Sequence, residues 1–430
     1  MTMPWSLYSP ICQSKAKCLR PQVVIELDGQ NERLNRPCYT TLDRITGKLL
    51  LTVARETQVD QIDITLEGST STSVGRATTY VPGRRQASHQ FLLLRQPLGC
   101  SEYGEIKTLL PGIAYRIPFK FVIPEKLLPQ SCSHTATGND VRHAHTRLPP
   151  SLESSPTTFW NLEEDGISSK VCKVSYVVRA RISTSTHTGA PQVLRDISRP
   201  IRVVPIRLTD YPRRELSVDS QLKDKFPSRY MVQSQGPMEL MVEQPSPIHV
   251  SSAGSHPGKA VPLHIDLRVR SASGKLLPRL RYMHCNLEVA TYYGTTPWKV
   301  HPPAEDLAYD ETDREAHVTT IPLSSLDLSS IKWAQLPSFE SVVEGNTKRD
   351  DLRTNSVSTT DSSNSSESSY AASVTVPVIL PEGKTFVPTF HSCLVSRVYR
   401  IQVSLSYHMP SRFCGSTISL KLPVEVSCSG

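Results

Sequence analysis

The chain has 430 residues, of which 38% are hydrophobic and 20% charged, and it carries 34 prolines. That length implies two cores rather than one, and clustered prolines, each lacking a backbone donor, make long helices and central strands difficult where they fall. The formal net charge of +8 permits acidic peptides, phosphorylated tails or anionic lipid as partners; basic residues spread along the chain, without an RNA-binding signature or zinc-finger spacing, argue against nucleic acid.

The first stretch, MTMPWSLYSPICQSK, lacks a basic start followed by an apolar run, so no secretory signal is read there. Residues 1–19 form an extension ahead of the first strand. Alternation of period two then recurs. It places Val23, Ile25 and Leu27 on one strand face, and Ile62, Ile64 and Leu66 on another, as in antiparallel strands with one buried and one wet face.

Residues 109–129, LLPGIAYRIPFKFVIPEKLLP, put Tyr115, Ile117, Phe119, Phe121 and Ile123 on one parity. Their four prolines predict an edge strand or a strand corner. A polar loop is expected over 130–170. Beyond it, Val174, Tyr176, Val178, Ala180 and Ile182 alternate again.

A linker is expected over 209–237, with one or two helical turns in 213–226 and again in 328–336. Residues 341–373, rich in Ser, Thr, Asn and Asp, cannot bury enough apolar surface to fold alone and read as disordered. Tyr399, Ile401, Val403, Leu405 and Tyr407 then alternate against Arg400, Gln402, Ser404 and Ser406 on the wet face.

Many short strands separated by Gly, Pro and Ser turns predict an all-β protein. The expected architecture is two β-sandwiches of roughly 200 residues each. One spans 20–208 and contains the loop 130–170. The other spans 238–430 and contains the insert 341–373.

The ten cysteines are Cys12, Cys18, Cys38, Cys100, Cys132, Cys172, Cys285, Cys393, Cys414 and Cys428. None forms a C-x-x-C pair, and scattered thiols suit a reducing compartment. No window approaches the ~18 uninterrupted apolar residues of a spanning helix, so a soluble intracellular protein is expected.

His134, His143 and His145 share the 130–170 loop with Asp140. A metal site needs ordered ligands and a fixed outer shell, so in a polar loop these are read as solvated side chains, and no metal is assigned. No G-x-S-x-G elbow occurs, and Glu163, Glu164 and Asp165 read as a solvated acidic run. No catalytic or cofactor-binding residue is assigned, and no cofactor is expected.

Arginines crowd two places. Arg195, Arg199, Arg202, Arg207, Arg213 and Arg214 surround the expected interdomain crossing, and Arg268, Arg270, Lys275, Arg279 and Arg281 crowd a strand pair in the second half. They are candidates to hold acidic or phosphorylated cargo tails, or the anionic inner leaflet, by charge-assisted hydrogen bonds. The competing reading is wet-face residues that discourage edge aggregation. Ser356, three residues after Arg353, is a candidate phosphorylation site.

Four stretches of the first half resemble the arrestin family, in particular the fungal arrestin-like proteins (alpha-arrestins). They are PCYTTLDRITGKLLLTV (37–53), QVDQIDITLEGSTSTSV (58–74), the proline-rich strand of 109–129, and VCKVSYVVRARI (171–182). In the second half, GKAVPLHIDLRV (258–269) resembles the opening of the arrestin C-domain. FVPTFHSCLVSRVYRIQVSLSY with ISLKLPVEV, within 386–426, resembles its closing strands.

The resemblance implies two arrestin-like, immunoglobulin-like sandwiches joined by a short hinge. It implies a non-enzymatic adaptor, cytoplasmic and recruited peripherally to plasma membrane or endosomes. Such adaptors link the cytosolic tails of membrane transporters or receptors to a HECT-type ubiquitin ligase and the endocytic machinery. In one respect the chain departs from the pattern. None of its fifteen tyrosines lies in a Pro-Pro-x-Tyr motif; Tyr39 follows Pro37 and Cys38, and Tyr230 sits in PSRY. Such motifs dock as short polyproline segments on WW domains, so ligase engagement is expected to be direct or indirect. The alternative is an arrestin-fold scaffold or a vesicle-coat, cargo-sorting subunit. A β-sandwich hydrolase ranks last for want of a catalytic constellation.

Overall fold

The computed structural model describes residues 21–29, 38–75, 83–97, 108–135, 138–153, 170–185, 190–206, 229–233, 238–251, 260–271, 277–302, 313–336, 368–382, 384–410 and 414–429. Among the described residues strand accounts for 66% and helix for 4%, which settles the all-β class. No helix among the described residues is long and apolar enough to cross a membrane.

The first half holds β1 (Gln22–Leu27), β2 (Cys38–Tyr39), β3 (Arg44–Thr52), β4 (Thr57–Gln58), β5 (Gln61–Gly75), β6 (Arg84–Arg95), β7 (Thr108–Leu109) and β8 (Tyr115–Val122). A short helix, α1 (Asn139–His145), is followed by β9 (Cys172–Ser185) and β10 (Pro191–Val203). Two sheets result, in the orders β1-β3-β8 and β2-β10-β9-β5-β6, with a small β4-β7 pair beside them. The inward parity of β9 is closed completely: Val174, Tyr176, Val178, Ala180 and Ile182 are all fully buried. Burying an aliphatic side chain of this size contributes about 1.5–3 kcal/mol, so a one-residue slip, which would turn that row outward, is strongly disfavoured.

Of the four prolines of 109–129, Pro118 lies in β8, while Pro111 and Pro124 flank the strand and Pro129 opens a 3-10 turn. Strand β8 stands at the edge of its sheet, pairing with β3 alone, with Pro118 opposite Lys48. The Lys120 amide donates to the Gln96 Oε1 at 3.0 Å, away from β3. Backbone amides two residues apart point the same way along a strand, so position 118 also faces the edge, where no ladder donor is needed. Ile117, Phe119, Phe121 and Ile123 meanwhile face the core.

Gly47 lies between β1 and β8 on the central strand of that sheet. A Cβ there would stand 2.2 Å from the Glu26 carbonyl oxygen and 2.7 Å from the Phe119 ring. Backbone cannot yield as a side chain does. We expect Gly47→Ala to destabilise the chain by about 1–3 kcal/mol or more, read as a lowered midpoint in denaturant; an unchanged midpoint would show that β1 and β3 are not this close.

The second half holds β11 (Arg229–Gln233), β12 (Met238–Glu243), β13 (Ile248–Ser251), β14 (Val261–Ser271), β15 (Arg279–Gly294) and β16 (Arg314–Asp327). It continues with β17 (Ala334–Gln335), β18 (Ser368–Val378), β19 (Phe390–His391), β20 (Val395–His408), β21 (Ser416–Val424) and β22 (Val426–Ser429). One sheet runs β11-β12-β14-β18-β17. Another runs β16-β15-β20-β19 with β21 also on β20, and β13 pairs with β22 in parallel. Leu263, Ile265 and Leu267 from one sheet meet Leu287, Ile401 and Val403 from the other in a core distinct from the first.

Several expectations change. The linker expected over 209–237 contains β11, whose Tyr230 and Val232 pack on the second core. The loop 130–170 contains α1 and two isolated bridges, Lys126–Arg147 and Leu152–Val174. The insert 341–373 gives up residues 368–373 to β18, while its remainder lies outside the described residues. Residues 328–336 are not helical: a turn at 329–330 leads into β17, and Leu328 is held from outside by donating its amide to the Arg281 carbonyl at 2.7 Å. Segment 213–226 lies outside the described residues.

Arg400 also departs from expectation. It is buried at 4% exposure, because the outer face of β15 and β20 is covered: Trp298 packs there with Ala290, Tyr292 and Val398. The guanidinium donates to Glu288 Oε1 and to the Tyr292 hydroxyl, both at 2.7 Å. Lys421 adds a third contact to Glu288 Oε2 at 2.7 Å. The face is therefore dry around Arg400, whereas Gln402, Ser404 and Ser406 further along it stay half-exposed as expected.

Candidate functional site at the interdomain junction

The two sandwiches meet at the tip of the β19–β20 hairpin. Residues 392–395 make the turn: the Ser392 amide and hydroxyl both donate to the Val395 carbonyl at 2.8 Å. Phe390, Leu394 and Val395 leave the second core and pack with Tyr293 into the first. The turn is fixed to its own sandwich as well. Gly294 donates its amide to Leu394, and Trp298 donates to Cys393, at 3.0 and 2.8 Å.

Polar contacts surround this plug. Glu315 spans the junction, accepting the Gly75 amide at 2.6 Å and the Tyr293 hydroxyl at 2.7 Å. Burial, and then this bond to a carboxylate, raise the Tyr293 phenol above its ordinary range. Thr72 donates its hydroxyl to the Gly294 carbonyl at 2.8 Å, and Arg85 pairs with Asp313. Arg397 is fully buried beneath the tip, donating to the Tyr399 hydroxyl at 3.1 Å and to Thr291 Oγ1 at 3.0 Å. Its charge reaches Cys172 of the first sandwich; burial pushes that thiol up to about 12, against the lowering effect of Arg397.

At the turn itself, Cys393 meets three residues of the first sandwich. A 3-10 turn at Pro129–Ser131 delivers Cys132, and His134 follows two residues later. Helix α1 carries Val141 and His145 four residues apart on its buried face, the spacing that places side chains one above the other. The loop is pinned where Leu127 donates its amide to Thr146 at 2.8 Å, with Leu127 and Leu148 in the core.

Cys132 Sγ lies 3.2 Å from His134 Nε2 and 3.7 Å from His145 Nδ1, and the two ring nitrogens are 3.2 Å apart. With Cys393 Sγ, the four donor atoms all fall within 4.8 Å of one another. Cys132, His145 and Cys393 are buried and His134 is half-buried. Burial first, then His134, His301 and His89, lower the His145 imidazole to about 4. Burial first, then Cys132, push the Cys393 thiol up to about 12.

The reading of these histidines as solvated loop side chains is therefore corrected. It fits the exposed His143 but not His145, which is 3% exposed, because the segment is a packed helix rather than a polar coil. Asp140 is exposed and stands 3.5 Å from His301 of the second sandwich.

Among the described residues the arginines do not form one face. Arg195 and Arg199 share the strand parity of Ile197 and Ile201, which pack on the first core; both are half-buried, and Arg199 donates to the Ile25 carbonyl at 2.8 Å. Arg199 thus clips β10 to β1. Arg202 is half-buried beside Cys38. Arg268 and Arg270 are exposed on β14, Arg270 lying 3.7 Å from Glu239. Arg279 and Arg281 are exposed on β15, which belongs to the other sheet, so the four do not sit on a paired pair of strands as expected. Arg207, Arg213, Arg214, Lys275 and Ser356 lie outside the described residues.

Residues 23–206 match the model of the arrestin (or S-antigen) N-terminal domain, and residues 309–429 match that of the Bul1 C terminus. The chain belongs to the arrestin family. A search of curated proteins finds no match to it. In this arrestin-family chain the N-terminal match runs from β1 to β10 and ends at residue 206, three residues beyond β10. The Bul1 match takes in β16 to β22 and with them the whole plug-forming hairpin.

Sequence reasoning missed the junction residues of this arrestin-family protein. The Cys132-x-His134 spacing with His145 further on was available in one segment. Cys393 carried no signal, because it joins them from the far end of the chain. Tyr399 read only as a member of an alternating strand, and Arg397 was not singled out.

Proposed function

We propose that this arrestin-family chain is a non-enzymatic adaptor that links cytosolic tails of plasma-membrane transporters or receptors to a HECT-type ubiquitin ligase, directly or indirectly, and to the endocytic machinery. In this reading it works in the cytoplasm and is recruited peripherally to plasma membrane or endosomes. The observation that carries the reading is the pair of family matches, arrestin N-terminal domain over 23–206 and Bul1 C terminus over 309–429, on two sandwiches joined by a buried plug. A preformed two-domain surface loses little conformational freedom on binding, so more of its contact energy appears as affinity.

Arg268 and Arg270, exposed on β14, supply the basic surface of this proposal. Exposed charges are screened beyond roughly 8–10 Å at physiological salt, so affinity for an acidic or phosphorylated tail peptide is expected to fall from low to high salt. Exposed ion pairs contribute about 0.2–1 kcal/mol each, so reversing Arg268 and Arg270 to Glu is expected to weaken binding roughly two- to thirtyfold. Binding that ignores both salt and the double reversal would remove this surface from the mechanism.

Affinity purification of the full chain from cells tests the adaptor role itself. Recovery of a HECT ligase together with a transporter or receptor supports it. Recovery of coat or sorting subunits without any ligase would replace it with the scaffold reading.

A further inference from the structure

We propose that Cys132, His134, His145 and Cys393 form a structural zinc site that clamps the β19–β20 turn of the second sandwich to the α1 segment of the first. The inference rests on geometry and does not depend on the adaptor reading. Zinc binds thiolate at about 2.3 Å and imidazole at about 2.0–2.1 Å in a tetrahedron, which sets neighbouring donor atoms roughly 3.3–3.8 Å apart. The three contacts here, 3.2, 3.2 and 3.7 Å, are of that size, and Cys393 completes a set confined within 4.8 Å. The direct approach of Cys132 Sγ to His134 Nε2 puts thiol and imidazole on one centre, whereas a Rieske-type cluster holds its cysteines and histidines on different irons.

Two sulfurs and two nitrogens are the donor set that soft and borderline metals select, and a tetrahedral arrangement favours zinc among them. Four protein ligands leave no open position, so the site is structural rather than catalytic. Its second role follows from where the ligands originate. Three come from residues 132–145 and the fourth from residue 393, so one ion would tie two sandwiches that are otherwise joined by packing and a few polar contacts. Neither Cys132 nor Cys393 is in a disulfide, so both can give up their protons and bind the metal as thiolates. Backbone bonds hold the ligand-bearing segments before any metal arrives: Cys132 donates its amide to Pro129, Thr146 to Arg142, and Trp298 to the Cys393 carbonyl.

The test uses the full chain, produced with zinc in the medium and purified without chelator. Mass-spectrometric metal analysis is expected to find about one zinc per chain, surviving gel filtration. Cys132→Ser and Cys393→Ser should each remove most of it. His134→Ala, at a half-buried position, should do the same, and Cys414→Ser, at an exposed thiol, should change nothing. Should the cysteine variants fail to fold, wild-type chain stripped by chelator and titrated with Co²⁺ provides the second reading. Intense visible bands of tetrahedral thiolate-bound cobalt, saturating at one equivalent, are expected. Stripping should also speed amide exchange in residues 139–146 and 392–395, and Zn²⁺ should restore protection. Wild-type chain with negligible zinc and no cobalt bands would overturn the proposal. So would metal content indifferent to Cys132→Ser and Cys393→Ser, a disulfide between those two cysteines, or exchange at the junction that ignores the metal.

Discussion

Glu288→Ala is expected to cost about 3–5 kcal/mol, because removing one partner leaves a buried guanidinium without its counter-charge. Arg400 and Glu288 have side chains only 5% and 6% exposed, and they meet at 2.7 Å. Lys421, the third member, is 42% exposed and can turn to water once the carboxylate is gone. Arg400 cannot. The comparison that isolates the charge is the double change Glu288→Leu with Arg400→Met, which replaces the pair by apolar groups of similar size and is expected to recover most of the loss. Denaturant midpoints of the three chains provide the measurement. A Glu288→Ala chain as stable as wild type would mean that the covered face of β15 and β20 is open to water.

Local periodicity made much of the fold legible. The inward row of β9, the core parity of β8 and the alternation of β20 all lie where period two puts them, since a strand's two faces are decided by neighbours along the chain. Pro118 of β8 could likewise be placed at an edge, because a missing donor is a local property. What failed depended on residues distant in sequence. Arg400 belongs to a polar parity but is buried where Glu288 and Tyr292 hold it, next to the cluster that Tyr292 forms with Trp298. Helix α1 has only seven residues, three of them Arg or His in its last turn, so propensity gave no warning; packing of Val141 and His145 decides it. Cys393 reaches Cys132 only through the hairpin that carries it across the junction.

Leu394→Asp is expected to undo that junction. Leu394 is 4% exposed at the hairpin tip and packs in the core of the opposite sandwich. The substitution forfeits about 1.5–3 kcal/mol of apolar burial and would drive a carboxylate among Phe390, Val395 and Tyr293. A buried, unpaired charge costs several kcal/mol more, so the tip is expected to withdraw into water instead. The second sandwich retains its own core, since Leu394 contributes nothing to it. The effect therefore falls on the coupling between sandwiches rather than on either alone.

Differential scanning calorimetry of the full chain, wild type beside Leu394→Asp, tests most directly the claim that the plug makes two sandwiches into one unit. Cooperative unfolding requires that neither part melt without the other. Wild type is expected to show one coupled transition, which the substitution splits into two, the first at lower temperature. Two independent transitions already in wild type, at temperatures that Leu394→Asp leaves unchanged, would contradict it.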